Sequence, residues 1–159
     1  MKAGVVAMVS GTLVHLIESH WEEIASRVIG QIRREPEMSH IRGLRESDLH
    51  EWGRNLLENL GHWLSAGNEH DLAEKYEQLG KLRYEQNVPL HETVRALSIV
   101  REKMVDFVEE QVFSKNALSL YAEQELERRL GRFFDVLTVH LVKGYERALR
   151  VASLLTMHA

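Results

Sequence analysis

The nine histidines are the residues of this sequence with the widest chemistry, because imidazole can bind metals or haem and can transfer protons. No two of them are three or four residues apart; they lie at positions 15, 20, 40, 50, 62, 70, 91, 140 and 158. Metal ligands on one helix need that spacing to share a face. A di-iron bundle needs two Glu-x-x-His motifs, and this sequence has one, Glu37–His40, directly after Pro36. We therefore predict no metal site and no cofactor. If haem binds, the candidate ligands are His70, His91 and His140.

Other catalytic patterns are also missing. The sequence has no cysteine, which excludes disulfides, Cys-ligated zinc and thiol catalysis. It has no G-x-x-x-x-G-K, G-x-G-x-x-G or G-x-S-x-G motif. Its carboxylates alternate with Lys and Arg, which is typical of solvated helix faces. We predict that the protein is not an enzyme.

Two tryptophans and two arginines form a candidate site for a signal or a partner. Trp52 and Trp63 are eleven residues apart, or three helical turns, and could line one side of a cavity; core packing is the alternative. Arg83 and Arg95 fall near apolar positions, and a buried arginine needs a partner. That partner could be a bound anion or an acidic protein. Glu85 or Glu92 would be the internal alternative.

Apolar spacing predicts an all-α fold of about five main helices in a single domain, residues 1–159. The hydrophobic fraction of 44% is ordinary for a globular protein. Residues 1–12 are expected to be loosely ordered. The first helix is predicted over about Thr12 to Arg33, the second begins with Ser47 as its N-cap, and the third begins with Asn68. A charged connection over residues 33–46 has room for a short helical turn.

A sharp corner is predicted at Val88–Pro89, because proline suits the first helical position and pushes the preceding residue out of the α region. The fourth helix follows it. The last helix is predicted over residues 119–156, a span of roughly 57 Å in a domain roughly 40 Å across, so it should overhang. We expect one face of this helix to form a homodimer interface, with a helix wrapped within one chain as the alternative. The predicted interface residues are Leu130, Phe134, Leu137, Leu141 and Tyr145.

Charge and the start of the chain bear on partners and location. The net charge of −4 gives no broad attraction to nucleic acid or to an anionic membrane. The apolar run at the start of the chain is too short to span a membrane. We predict a cytoplasmic protein that binds neither nucleic acid nor membrane.

The sequence around the corner resembles a known family. The run LGKLRYEQNVPL (79–90) followed by ETVRAL (92–97) is similar to the signature of RsbR-type amino-terminal domains. These are the sensor domains of RsbT co-antagonists and of some sensor histidine kinases. Similar residues also occur at WEEI (21–24), FFD (133–135) and GYE (144–146), and the resemblance covers about residues 13–150.

The resemblance implies a globin-like helical bundle that dimerises through its last helices and, in the best-known members, binds no haem. It implies a non-enzymatic bacterial signal-sensing module, of the kind used in stress responses, that relays a signal through its last helix. The implied partners are a downstream kinase, a STAS domain or another signalling protein, and an unknown small ligand is possible. Family members usually continue into an output domain, so a stand-alone module and a domain of a longer protein both stay open. Two alternatives also remain: a haem-binding gas sensor, and an interaction scaffold without a small-molecule site.

Overall fold

The computed structural model describes residues 2–111 and 116–157. These residues form an all-α fold without strands, which confirms the predicted fold class. The predicted long final helix is also present and is 41 residues long. The helices are α1 (Lys2–Ser19), α2 (Trp21–Arg34), α3 (Glu46–Leu57), α4 (Leu60–Leu64), α5 (Glu69–Glu85), α6 (Leu90–Gln111) and α7 (Ala117–Met157).

The first predicted helix is two helices. The chain leaves helical geometry at His20 (φ −114°, ψ 26°), and the His20 Nδ1 atom lies 2.9 Å from the Leu16 carbonyl oxygen. This side-chain contact competes with the backbone for the last carbonyl groups of α1. The helix also begins at Lys2 instead of about Thr12. That residues 1–12 are loosely ordered stays a prediction.

The second predicted helix is also interrupted. It ends as α3 at Leu57, and the chain leaves helical geometry at Asn59 (φ −112°, ψ 24°) before α4 begins. Its N-cap is Arg45, without a side-chain cap, so the prediction of Ser47 in that role was wrong by two residues. Asn68 does occupy the predicted N-cap position of α5, although its side chain bonds to the His62 carbonyl instead of a helix N–H.

A buried carboxylate fixes the connection between α2 and α3, which contains the expected short turn, a 3₁₀ helix at Ile41–Gly43. Glu92 of α6 is 1% exposed and accepts hydrogen bonds from the backbone N–H groups of His40 (3.0 Å) and Ile41 (3.3 Å). The His40 ring nitrogen lies 2.7 Å from the same carboxylate. Glu92 is therefore committed to this turn and does not serve as the predicted partner of Arg83 or Arg95.

The core forms around α6, which contacts α1, α2, α5 and α7. Its residues Ile99, Met104 and Phe107 are fully buried. Burying an aliphatic or aromatic side chain of this size stabilises the fold by about 1.5–3 kcal/mol. The most extensive helix–helix contact joins α5 and α7. Within the described part of the chain, none of the helices has both the length and the apolar character needed to cross a membrane.

Candidate functional site

The corner between α5 and α6 is a hydrogen-bonded helix stop. The Val88 N–H bonds to the Arg83 carbonyl and the Asn87 N–H to the Tyr84 carbonyl, both at 3.0 Å, and Asn87 has φ 61°. These two bonds around a left-handed residue make a Schellman motif, with Asn87 in the place that glycine usually takes. The Pro89 carbonyl accepts the Glu92 N–H (3.1 Å), which makes Pro89 the N-cap of α6. The predicted corner is therefore present, with proline one position earlier than expected.

The corner is tied to α7 through Tyr145. Its hydroxyl donates to the Val88 carbonyl at 2.8 Å, and its ring meets the Tyr84 ring edge-on with 5.5 Å between centroids. Burial, and to a lesser degree the neighbouring Tyr84, raise the pKa of Tyr145, so the phenol stays a donor at neutral pH. The hydrogen bond and the ring contact together connect α7 to the end of α5 and to the corner.

Two glycines let α5 and α7 touch backbone to backbone. A Cβ atom added at Gly80 would lie 2.8 Å from the Tyr145 nitrogen and closer still to the Leu141 carbonyl oxygen. A Cβ atom added at Gly144 would lie 2.7 Å from the Glu77 Cα and closer still to the Glu77 carbonyl oxygen. Neither site can hold a side chain unless the helices separate, so this crossing requires glycine on both helices.

An ion-pair cluster lies beside the crossing. The Glu77 carboxylate on α5 lies 2.9 Å from the His140 Nδ1 atom and accepts a hydrogen bond from Arg147 at 2.8 Å, both on α7. The Glu77 and His140 side chains are each 23% exposed. The contact with His140, followed by that with Arg147, lowers the pKa of Glu77, so the carboxylate is ionised at neutral pH. The cluster holds the two helices in register on either side of Gly144.

A groove opens between α5 and the carboxyl-terminal part of α7, next to the crossing. Its volume is about 610 Å³, within the usual range for small-molecule sites. The α7 wall is mainly apolar, whereas α5 contributes most of the charged groups. The lining residues are His70, Ala73, Glu74, Glu77, Gln78, Lys81, Tyr84 and Glu85 from α5, and Gly144, Arg147, Ala148, Val151, Ala152 and Leu155 from α7.

This lining suits binding better than bond-breaking chemistry. An apolar wall opposite a mixed-charge rim fits an amphipathic molecule or an amphipathic helix. Among the described residues, no group of three or more His, Asp or Glu side chains is arranged to hold a metal ion. The groove is therefore the candidate functional site, as a binding surface shared by α5 and α7.

The structure places the predicted signal-site residues apart from this groove. Arg95 is half-buried and forms ion pairs with Glu35 and Glu102, so it is a structural residue. The hydrogen bond from Arg95 lowers the pKa of Glu35 to about 2 and raises that of Arg95 itself. The prediction that Glu85 or Glu92 pairs with Arg95 was therefore wrong.

Arg83 is 5% exposed, and its only described side-chain partner is the Gln86 amide at 2.8 Å. Burial lowers the pKa of the guanidinium, and the charge of Asp48 partly opposes that effect. Within the described residues no carboxylate lies within ion-pair distance of Arg83, and the residue is not part of the groove lining.

The two tryptophans do not line one cavity together. Trp52 borders a space of about 10 Å³, which holds at most one water molecule, and Trp63 does not border it. The Trp63 N–H instead donates to the Asn55 carbonyl at 3.0 Å, and the Lys75 amine lies over its ring. The Trp52 N–H and the buried Tyr76 hydroxyl lie next to each other, and neither forms a hydrogen bond of normal geometry with a described residue. The core-packing alternative therefore fits Trp52.

The haem-ligand candidates do not converge on one cavity. His70 lines the groove at the start of α5, His140 is engaged with Glu77, and His91 is exposed in the first turn of α6. The space next to Trp52, where α2, α3 and α6 pack, is far below the size of a haem.

Four of the five residues predicted for the dimer interface are buried within a single chain, so that prediction needs correction. Leu130, Leu137 and Leu141 are at most 1% exposed and Phe134 is 4% exposed within a single chain. They pack against the chain's own helices, so a second copy cannot reach them, and Tyr145 is occupied by Val88. The exposed apolar residues of α7 lie elsewhere, at Leu118, Leu120, Tyr121, Val136, Val139, Leu149, Val151, Leu154, Leu155 and Met157.

Sequence reasoning missed Gly80 and Glu77 as parts of a site. The available signal was glycine inside predicted helices, where it costs roughly 0.5–1 kcal/mol relative to alanine. Gly80 and Gly144 both lie in the interior of helices, where glycine can mark a close approach of another backbone.

Comparison with known proteins identifies the family. The family model described as RsbT co-antagonist protein rsbRD N-terminal domain matches residues 22–154, which include the corner, the crossing and all of the groove lining except Leu155. Comparisons with curated proteins and with solved structures gave no match. The matched domain is a regulatory, signalling-related module and is not a known catalytic family. With the match extending from α2 to the last turn of α7, this chain belongs to the RsbT co-antagonist rsbRD N-terminal domain family.

Proposed function

We propose that the chain is a non-enzymatic sensor module that works as a homodimer and relays a signal along α7. The groove carries this proposal, because an occupant would contact α5 and α7 at once, next to the point where their backbones touch. A ligand shifts an equilibrium between two states only if it binds them with different affinity. A site formed by two helices meets that condition when their relative position differs between the states.

The position of the groove along α7 favours transmission. Upstream of it, α7 is buried against the rest of the chain through Leu137 and Leu141. At its carboxyl-terminal end, Leu155, which lines the groove, and the neighbouring Leu154 are more than half exposed. A change at the groove therefore acts on the point where the helix leaves the body of the domain. A kinase, a STAS domain or another signalling protein would receive the change.

The groove also favours a sensor over a scaffold without a ligand site. A pure scaffold needs no concave surface, whereas this one combines apolar walls with charged groups from two helices. An amphipathic small molecule or a short amphipathic helix would suit it. The absence of a catalytic motif in the sequence and the regulatory family are consistent with a role without catalysis.

Coupling between the groove and dimerisation is the experimental test. Ala152 of α7 lines the groove, and Ala152→Trp should fill it. We expect the dimer dissociation constant, measured by analytical ultracentrifugation, to change at least fivefold, the lower end of typical coupling between sites. Ala66→Trp, in the exposed loop before α5, is the matched control and should leave the constant unchanged.

Two results would contradict the proposal. If the wild-type chain stays monomeric at high micromolar concentration, the proposal that it works as a homodimer is wrong. A dimer whose dissociation constant is the same in the wild type and in a folded Ala152→Trp variant would separate the groove from dimerisation. Thermal melting of each variant establishes that it is folded before the constants are compared.

A further inference from the structure

Arg83 is a buried cation that has no carboxylate within ion-pair distance among the described residues. The other buried charged side chains in the described part of the chain are carboxylates, Glu92 and Glu123. Glu92 accepts hydrogen bonds from two backbone N–H groups and lies beside a histidine ring. Arg83, by contrast, contacts only the neutral amide of Gln86 at 2.8 Å. Because a buried charge is costly unless it is paired, Arg83 is the group of this fold that most needs a counter-ion.

One edge of the Arg83 guanidinium group remains unpaired. The Gln86 amide oxygen accepts its hydrogen bond from the Nη1 atom. The Nε and Nη2 atoms bond to no described residue, and neither belongs to the enclosed polar atoms that lack a partner. These two nitrogens therefore reach the surface, although the rest of the side chain is buried. Their N–H groups point in parallel, which is the geometry that binds two oxygens of a carboxylate or phosphate group.

The acidic residues of the neighbouring first turn of α3 are engaged elsewhere. The charge of Asp48 acts on Arg83 from beyond ion-pair distance, and its carboxylate pairs with Arg45 at 3.3 Å. Glu46, in the same turn, pairs with Arg33. Burial lowers the pKa of Arg83, and Asp48 opposes only part of that effect. A further anion would therefore stabilise the charged guanidinium group.

The packing of α3 against α5 places a helix N-terminus on the same side. Trp52 of α3 lies next to Tyr76 of α5. Asp48 precedes Trp52 by one turn, and Arg83 follows Tyr76 by two turns, so the first turn of α3 lies towards Arg83. A helix N-terminus carries partial positive charge and free N–H groups, and that of α3 has no side-chain cap. This terminus disfavours a lone cation and favours an anion beside it.

The position of Arg83 in the last turn of α5 offers a structural explanation of its charge. A basic residue there interacts favourably with the helix dipole. That interaction requires no burial, and the exposed Lys81 shows that a cation near the end of α5 can stay in solvent. The dipole therefore explains the charge of Arg83 but not its burial beside a neutral amide.

We propose that Arg83 is a binding site for a small oxyanion, which the Nε and Nη2 edge of the guanidinium group holds between α5 and the first turn of α3. The ligand class is a molecule that carries a phosphate or a carboxylate group. Arg83 is not part of the groove lining, so this site is separate from the groove and goes beyond the proposed function. Binding at Arg83 requires neither an occupied groove nor a dimer.

Titration with inorganic phosphate, followed by nuclear magnetic resonance, tests the site. The signal to follow is the side-chain Nε–H of Arg83, which is assigned by its absence from Arg83→Lys. Sodium chloride keeps the ionic strength constant, and acetate serves as the second probe. We expect a saturable shift; tighter binding of phosphate indicates a phosphate-bearing ligand, and tighter binding of acetate indicates a carboxylate. A signal that saturates with neither probe overturns the proposal.

A carboxylate supplied by the chain itself should replace the ligand. Gln86→Glu places a carboxylate where the amide oxygen now accepts the Nη1 hydrogen bond. We expect a higher melting temperature and phosphate binding that is weaker by about tenfold or more, because hydrogen bonds to charged groups are the stronger ones. Gln124→Glu makes the same charge change at an exposed position of α7 and should keep the dissociation constant within about twofold. Equal weakening in both folded variants would show a general charge effect and overturn the site.

Asp48→Asn tests the position of the anion next to α3. Removing this negative charge should tighten phosphate binding by about twofold or more. An unchanged dissociation constant would contradict the proposed position. If Asp48 itself pairs with Arg83 in solution, phosphate will bind to Asp48→Asn but not to the wild type, and the proposal is wrong.

Failure of this site is distinguishable from failure of the proposed function. Phosphate binding is measured at Arg83, whereas the proposed function is tested by the dimer dissociation constant. A monomeric chain that binds phosphate at Arg83 contradicts only the proposed function. A dimer that responds to Ala152→Trp but binds neither probe contradicts only the oxyanion site.

Discussion

Gly80 of α5 and Gly144 of α7 lie at a crossing where each glycine meets the backbone of the opposite helix. The Gly80 position faces the Leu141 carbonyl and the Tyr145 nitrogen, and the Gly144 position faces the backbone of Glu77. Each helix contributes one glycine to the contact, so both glycines are needed for the short distance between the two helices. The crossing lies within the most extensive helix pair of the fold.

Alanine at this crossing should therefore destabilise the fold. For Gly80→Ala and Gly144→Ala we expect a loss of at least about 3 kcal/mol in the free energy of unfolding, because each added methyl group overlaps backbone atoms. Gly131→Ala on α7 is the control, since its methyl group would meet only the flexible Arg101 side chain. Urea unfolding followed by circular dichroism measures the difference. Equal stability of the three variants would show that the helices separate without cost.

The ion pair of Arg95 with Glu35 predicts a pH-dependent contribution to stability. The pKa of Glu35 is about 2 in the folded chain, below its usual 4.5, so the stabilisation is complete above about pH 4.5 and is lost as the pH falls through 2. Arg95→Gln should lower the free energy of unfolding by about 1 kcal/mol at pH 7, because the pair is partly screened by solvent. The difference from the wild type should shrink between pH 4.5 and 2.

Chemical unfolding of both proteins at pH 7, 4.5 and 2.5 checks this dependence. Arg27→Gln is the matched control, because Arg27 pairs with the more exposed Glu23 and Glu110 and should matter less. A difference between the wild type and Arg95→Gln that stays constant with pH would contradict the role of the Glu35 carboxylate.

Two tyrosines should respond in opposite ways to loss of the hydroxyl group. The Tyr145 hydroxyl bonds to the Val88 carbonyl, so Tyr145→Phe should cost about 1 kcal/mol. The buried Tyr76 hydroxyl has the Trp52 N–H beside it but forms no hydrogen bond of normal geometry with a described residue. Burial raises the pKa of Tyr76, and the neighbouring Trp52 partly opposes that effect. Tyr76→Phe should therefore leave stability unchanged or raise it by up to about 1 kcal/mol. Melting temperatures of the two variants distinguish the cases, and a large loss in Tyr76→Phe would reveal a partner for that hydroxyl.

Two neighbouring positions on α7 should separate folding from dimerisation. Leu137 is fully buried, and Leu137→Asp places a charge in the core, so we expect a loss of about 4 kcal/mol or more in stability. Val139 is 51% exposed, so Val139→Asp should change the stability of the single chain by less than about 0.5 kcal/mol. The same change should weaken the dimer. Light scattering measures dimerisation, and circular dichroism measures folding. A Leu137→Asp variant that is folded but monomeric would show that the face containing Leu137 forms the dimer interface.

Local signals in the sequence predicted the parts of the fold that depend on neighbouring residues. The corner follows from Val88 and Pro89, and the length of α7 follows from its uninterrupted apolar period. The breaks at His20 and Asn59 were missed, because the apolar stripes continue through both positions and neither residue is a strong helix breaker. Stripe periodicity reports which face is buried, and it continues across a bend.

Contacts between distant residues could not be read from the sequence. Glu35 and Arg95 are 60 residues apart, and Glu77 and His140 are 63 apart. Many carboxylates could have paired with Arg95 or with His140, and only the packing of the helices selects among them. For the same reason, the stripe containing Leu137 indicated burial but not whether the chain itself or a second copy covers it. The groove depends on the angle between α5 and α7, which no local pattern encodes.

A crossing made of two glycines fixes the distance between two helices more strongly than their angle. Where side chains of two helices interlock, rotation of one helix against the other requires these side chains to separate. Gly80 and Gly144 have no side chains to interlock at the crossing. The contact can therefore act as a pivot, with α7 beyond Gly144 as the lever. Met157 lies about 20 Å along the helix from that pivot. A rotation of about 5° would move the tip of the lever by about 2 Å, which is comparable to the helix shifts of known molecular switches.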